Sequence, residues 1–215
     1  MQSNPPREPS LEPGTNPHPM TTAPASSTHF DPQTLGADRS AKWEQAETFE
    51  AFLPTAEANA DVWNHGWERA RIPDAIQARA DAIPGEWKLL VLSADWCGDA
   101  ANSIPPLARL AERTEGLELR LLERDEHLDL MDEHLTDGKR AFPVVILLDA
   151  EGKERGWWGS RPADLAAWVK SEGMKMESGP RYREVRKWYV RDRGLSTFHE
   201  VLTMLEHASG SRHVV

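Results

Sequence analysis

The sequence predicts an α/β sandwich: a mixed central sheet, parallel at its start and closed by a hairpin, with helical additions on both sides of it. Three observations predict this. Between residues 88 and 169 short apolar runs alternate with helix-period segments in the order β-α-β-α-β-β-α, the pattern of a sheet covered by helices. The first run, residues 88–94, is apolar at nearly every position, as a strand buried on both faces must be. The last two strands are joined through Ala150, Glu151 and Gly152, a turn signal. A length of 215 residues suits one domain with additions, or two small ones.

Composition removes several classes. A hydrophobic share of 39% with 28% charged residues is ordinary for a globular chain. No run approaches the ~18–20 apolar residues of a membrane span. A net charge of −10 argues against nucleic acid as the main partner. Residues 1–10 are polar and proline-rich with no apolar core of a secretory leader, so the expected location is cytoplasmic. Cys97 is the one cysteine. A disulfide scaffold, a Cys-rich metal site and an intramolecular dithiol/disulfide cycle are therefore excluded.

In chain order, residues 1–39 read as a disordered tail. Eight of the sixteen prolines fall in it, with few large apolar side chains, Leu11, Phe30 and Leu35 among them. Such a segment buries too little apolar area to offset the entropy of ordering it. Residues 40–85 read as helices packing on the core. Trp43, Ala46, Phe49 and Phe52 recur at helical spacing up to Pro54, Val62, Trp63 and Trp67 mark a second segment, and Ile76, Ala80 and Ile83 a third behind Pro73. Pro84-Gly85 breaks the pattern. The core domain spans 86–172. Its strands are expected at 88–94, 117–122, 144–148 and 154–158, and its helices carry Ile104, Leu107 and Leu110, then Leu128, Met131 and Leu135, then Leu165, Trp168 and Val169. Residues 173–215 form a C-terminal helical extension. There residues 181–193 hold six basic and two acidic side chains, with Tyr182, Val185 and Tyr189 on one face. Those three are expected to pack on the domain while the arginines pair with its acids. Gly194 suits a helix stop, and Thr197 with Glu200 a capping box before Val201.

The junction Trp96-Cys97-Gly98-Asp99, between the first strand and a helix, carries the most chemical information. A thiol at a helix N-terminus meets unpaired backbone N–H groups and the positive end of the dipole, which favour a thiolate. A lone cysteine is also commonly a small buried residue, and that alternative stays open.

Here the sequence resembles the thioredoxin family, in a bacterial type with a Trp-Cys-Gly-Asp turn. Pro105, eight residues after the cysteine, stands where thioredoxins carry the proline that kinks the first helix. Ala141-Phe142-Pro143-Val144-Val145 resembles the segment whose cis-proline faces the active-site cysteine. The hairpin over 148–158, followed by Gly159 and a helix, matches the last βα part. The core likeness covers residues 86–172, and residues 42–208, including the Arg-Tyr-Arg-Glu-Val-Arg-Lys-Trp-Tyr stretch at 181–189, look like the same family. The resemblance implies a thioredoxin-like sandwich, Cys97 as nucleophile, backbone N–H groups from Gly98 and Asp99 at the helix start, Trp96 shielding one side, and Phe142 with a cis Pro143 as the edge that receives a substrate peptide.

The departures matter as much. Ala100 stands where a dithiol thioredoxin has its resolving cysteine, and Val91 where the family carries a buried acid. A mixed disulfide at Cys97 therefore needs an external thiol for release. Asp95 and Asp99 flank the thiol and oppose its ionisation by like charge. Other sites fail. The histidines lack metal-site spacing, with His127 and His134 expected on a solvated helix, and no phosphate-loop, dinucleotide or Gly-x-Ser-x-Gly motif occurs. Trp157 and Trp158 should alternate, one in the core and one outside. Two readings follow. One is a monothiol thiol–disulfide oxidoreductase that needs no resident cofactor or metal, with glutathione as co-substrate and protein thiols or disulfides or a small thiol as partners. The other is a thioredoxin-fold binding module without redox turnover.

Overall fold

The computed structural model describes residues 27–210. Its elements run β1 (Thr28–His29), α1 (Ser40–Gln45), β2 (Glu47–Thr48), α2 (Phe49–Phe52), α3 (Ala60–Arg69), α4 (Asp74–Asp81), β3 (Trp87–Ser93), α5 (Gly98–Arg113), β4 (Leu117–Glu123), α6 (Leu128–Asp132), β5 (Val144–Asp149), β6 (Glu154–Gly159), α7 (Ala163–Ser171), α8 (Ser178–Asp192) and α9 (Leu195–Ser209). The six strands form one sheet in the order β1-β6-β5-β3-β4-β2. β3 and β4 are parallel, with Val91 opposite Leu121, and α5 makes the crossover between them. β5 runs antiparallel to β3 and closes a hairpin with β6. This is the mixed sheet that the sequence pattern predicts.

The continuous apolar character of β3 and β5 follows from what covers them. On one face Leu89, Val91, Val145, Leu147 and Trp158 pack against α3, α5 and α9. On the other Leu90, Leu92, Val144, Ile146, Leu148 and Trp157 pack against Trp43, Leu130 and Met131. Both tryptophans of the Trp157-Trp158 pair are therefore buried, one in each core, where one was expected outside. Alternation splits them between faces as a strand requires, but neither face is open. α7 and α8 make a third cluster around Leu165, Val185 and Tyr189.

Several expectations change. Residues 1–26 of the expected tail lie outside the described residues. Residues 27–39 are tied down: Thr28 and His29 pair with Trp158 and Trp157, and Gly36 and Ala37 exchange backbone hydrogen bonds with Glu154 at 2.8 and 2.9 Å. The attachment uses main-chain bonds, the ion pairs of Asp38 and Arg39, His29 stacked on Trp157, and Phe30 against the core. A single phenylalanine is too little for apolar composition to reveal it. The helical run expected from 40 to 53 breaks after Gln45, because Glu47 and Thr48 add an edge strand to β4. Thr197 and Glu200 are not a capping box, since α9 already begins after Gly194. Glu200 instead accepts from Trp158 Nε1 at 2.7 Å and from the Ala163 N–H, at the start of α7, at 2.8 Å. His134 is fully buried rather than solvated, bonded to the Leu130 carbonyl and to Glu154. On α8 Val185 and Tyr189 face inward, but Tyr182 is exposed. Among the described residues, the ion pair on this helix is Lys187–Glu184 within it, and the arginines of 181–193 reach none of the domain's acids.

Candidate functional site

The predicted site residues converge at the C-terminal end of β3. Cys97 is the N-cap of α5, with extended backbone angles. Its Sγ accepts the Ala100 N–H at 3.4 Å and faces the Phe142 carbonyl at 3.5 Å, to which its S–H donates. The Phe142–Pro143 peptide is cis and leads into β5. Its neighbour in the sheet is Gly159, where a Cβ would lie 2.7 Å from the Pro143 carbonyl oxygen, so the close approach needs glycine. Trp96 is 53% exposed and meets Phe142 edge-on, ring centroids 5.0 Å apart. The Arg124 guanidinium lies over the Phe142 ring at 4.6 Å. Trp96 and Phe142 thus form a half-open aromatic wall beside a thiol that is itself only 8% exposed.

The electrostatics differ from the sequence-based picture in three respects. First, burial pushes the Cys97 thiol up to about 11, and the helix start does not reverse this. The N–H groups of Ala100 and Asp99, not of Gly98, and the charge of Arg161 favour the thiolate; Asp99 opposes it. Gly98 serves as the exposed first residue of α5. Second, Asp95 does not face the sulfur. Its carboxylate accepts the N–H groups of Glu57 and Ala58 at 2.9 and 2.8 Å, and its carbonyl accepts from Trp63 Nε1 at 2.9 Å. It fastens the N-terminal helices to the active turn. Third, Asp99 is held from two sides: Arg161 Nη2 lies 2.6 Å from one carboxylate oxygen, and the Tyr189 hydroxyl donates to the other at 3.0 Å.

Arg161, Tyr189 and Arg124 are the site residues that sequence reasoning missed. Arg161 follows Gly159 by two positions in a short polar loop, which carries no spacing signal. Tyr189 stands on the inward face read from the sequence, yet a periodic pattern cannot name the partner of a hydroxyl. Among the described residues no group of three or more His, Cys, Asp or Glu side chains is arranged to hold a metal, and no helix is long and apolar enough to cross a membrane.

A thiol capping a helix that follows a central strand, opposite a cis-proline at the start of the next antiparallel strand, defines the thioredoxin-fold class. A family model described as thioredoxin matches residues 46–176, more than half of the chain, and the chain belongs to that family. A crystal structure of a protein of unknown function from Pseudomonas aeruginosa is similar at 21% identity and a TM-score of 0.65, covering 80% of this chain and 99% of that one. An HIV epitope-scaffold is similar at 19% identity and a TM-score of 0.64, with the same coverage of 80% and 99%. At these identities the likeness is one of fold. No curated protein matches the chain.

Proposed function

We propose that this protein is a monothiol thiol–disulfide exchange protein acting in the reducing cytoplasm, with Cys97 as nucleophile and glutathione or another small thiol as co-substrate. The observation that carries this reading is the seat of the sulfur. It caps α5, receives the Ala100 N–H and lies against the carbonyl that precedes Pro143, beside an exposed Trp96. The Cys97 thiolate attacks a disulfide, one partner sulfur leaves as a thiolate, and a mixed disulfide remains. The side chain one helical turn on belongs to Ala100, so no internal thiol attacks that bond. A second small-thiol thiolate must attack its own half of the adduct, releasing Cys97 and forming the small-molecule disulfide. Burial keeps the thiolate fraction small near neutral pH, so exchange is slow.

The test is incubation of the native protein with oxidised glutathione, followed by mass spectrometry. One adduct at Cys97 is expected, absent from Cys97→Ser, persisting after buffer exchange and removed by added reduced glutathione. The second reading, a binding module, is favoured by the burial of the thiol beneath an exposed aromatic wall. Absence of any adduct on the folded protein would favour it and reject exchange.

A further inference from the structure

We propose that Asp99 and Tyr189 act as a clamp that holds the Arg161 guanidinium off the Cys97 sulfur, making Arg161 a positioning residue that governs how reactive this thiol is. The inference rests on Cys97 being the working thiol of the site, and it assigns that site a control element contributed partly by the C-terminal extension.

Three segments meet beside the sulfur: the first turn of α5, which carries Asp99; the loop between β6 and α7, which carries Arg161; and α8, which carries Tyr189. Asp99 binds Arg161 at 2.6 Å through one oxygen and Tyr189 at 3.0 Å through the other. Burial pushes the Tyr189 hydroxyl well above its ordinary range, so it stays a donor. The carboxylate and the guanidinium act on the sulfur with opposite sign, and while they pair their fields largely cancel there. Arg161 has capacity left over: its Nε is buried without a hydrogen-bond partner. A guanidinium presents several donors in a fixed fork, and one freed from Asp99 would offer both charge and a donor to a thiolate. Among the described residues, the charges that act on the sulfur are those of Asp99 and Arg161. Asp95 is turned toward Glu57 and Ala58, and Arg124 lies across the Phe142 ring. The remaining walls, Trp96 and Pro143, are uncharged.

The test is alkylation of Cys97 by iodoacetamide between pH 7 and 11; the chain has no second thiol, and Cys97→Ser supplies the baseline for reaction at amines, histidines and methionines. In Asp99→Asn the midpoint is expected to fall by about one pH unit, raising the rate near neutral pH about tenfold. In Arg161→Gln the midpoint should rise and the rate fall. The double variant should return to near the wild-type curve, whereas Asp99→Asn combined with Arg161→Lys should keep most of the acceleration. An unchanged profile in Asp99→Asn would overturn the clamp, as would a double variant as fast as Asp99→Asn alone. If Asp99→Asn fails to fold by circular dichroism, Arg161→Gln decides alone, and a rate equal to wild type rejects the proposal. The profile reads the thiol whether or not a glutathione adduct turns over. Loss of the adduct with these shifts intact would reject exchange and keep the clamp, and the reverse would reject only the clamp.

Discussion

Two arginine–carboxylate clusters fasten the terminal additions to the sheet, and they are built differently. Behind the sheet, Arg39 from the N-terminal segment donates through Nε to Glu154 at 2.9 Å, and its two terminal nitrogens reach Glu133. Glu154 is fully buried and also meets His134 Nε2 at 3.0 Å, while His134 Nδ1 faces the Leu130 carbonyl at 2.7 Å. Both ring nitrogens therefore face acceptors, and all three guanidinium nitrogens of Arg39 are engaged. In front, Arg161 pairs with Asp99, leaves Nε unpartnered, and stands beside the thiol. Arg39 is thus fully committed to structure, whereas Arg161 is only partly committed, beside the reacting atom.

The rear cluster should show the larger stability effect. Arg39→Met leaves the buried Glu154 with His134 as its remaining partner, and removing one partner of a buried pair costs about 3–5 kcal/mol. Urea unfolding should show that loss, while the alkylation profile of Cys97 stays at wild type. A changed profile would mean that the two clusters communicate.

The front region should appear in the pH dependence of stability. Burial raises the Cys97 thiol from its ordinary 9.0 to about 11. Below about 9 the thiol is neutral folded or unfolded, and the advantage of keeping it protonated is intact. Between about 9 and 11 the unfolded chain ionises first, so stability falls as pH rises, by about 2–3 kcal/mol across the window. Against Cys97→Ala, which has no such group, the wild type should lose that much more between pH 8 and 11. Arg39→Met should keep the wild-type slope. Parallel curves for wild type and Cys97→Ala would show that the thiol is not desolvated as the structure has it.

The sheet was legible because both its faces are covered: apolar runs at 88–94 and 144–148 have few other meanings, and the turn at Gly152 fixes the hairpin. The seat of Cys97 was legible because a strand, a short turn and a helix leave one place for the residue between them. What escaped was carried by pairing rather than by periodicity. The segment 27–39 attaches mainly through main-chain bonds to β6, the ion pairs of Asp38 and Arg39 and the His29–Trp157 stack, and Phe30 alone adds an apolar anchor, which makes no periodic pattern. His134 looked solvated because its neighbours in sequence are polar, but its partners are Leu130 one turn back and Glu154 on a distant strand. Asp95 and Asp99 look equivalent beside the cysteine, and only the fold shows one bound to the backbone ahead of α3 and the other held by Arg161 and Tyr189. Helix-start electrostatics point toward an acidic thiol, whereas the depth of burial, which no spacing encodes, decides the opposite direction.

The smallest predicted effect tests whether the front cluster is held as firmly as the rear one. Tyr189→Phe removes the hydroxyl that donates to Asp99 at 3.0 Å and leaves the ring in place between α7 and α8. Asp99 keeps Arg161 on its other oxygen, so the loss is one hydrogen bond with the ion pair retained, about 1 kcal/mol. Thermal unfolding should drop by a few degrees, by about the ~2–4 °C per kcal/mol typical of a chain this long. A cost as large as that of Arg39→Met would place Tyr189 in a rigid cluster equal to the rear one and remove the distinction between the two regions. No cost at all would mean that α8 is held by Val185 and its apolar neighbours alone, so that the hydroxyl bears on Asp99 without bearing on the fold.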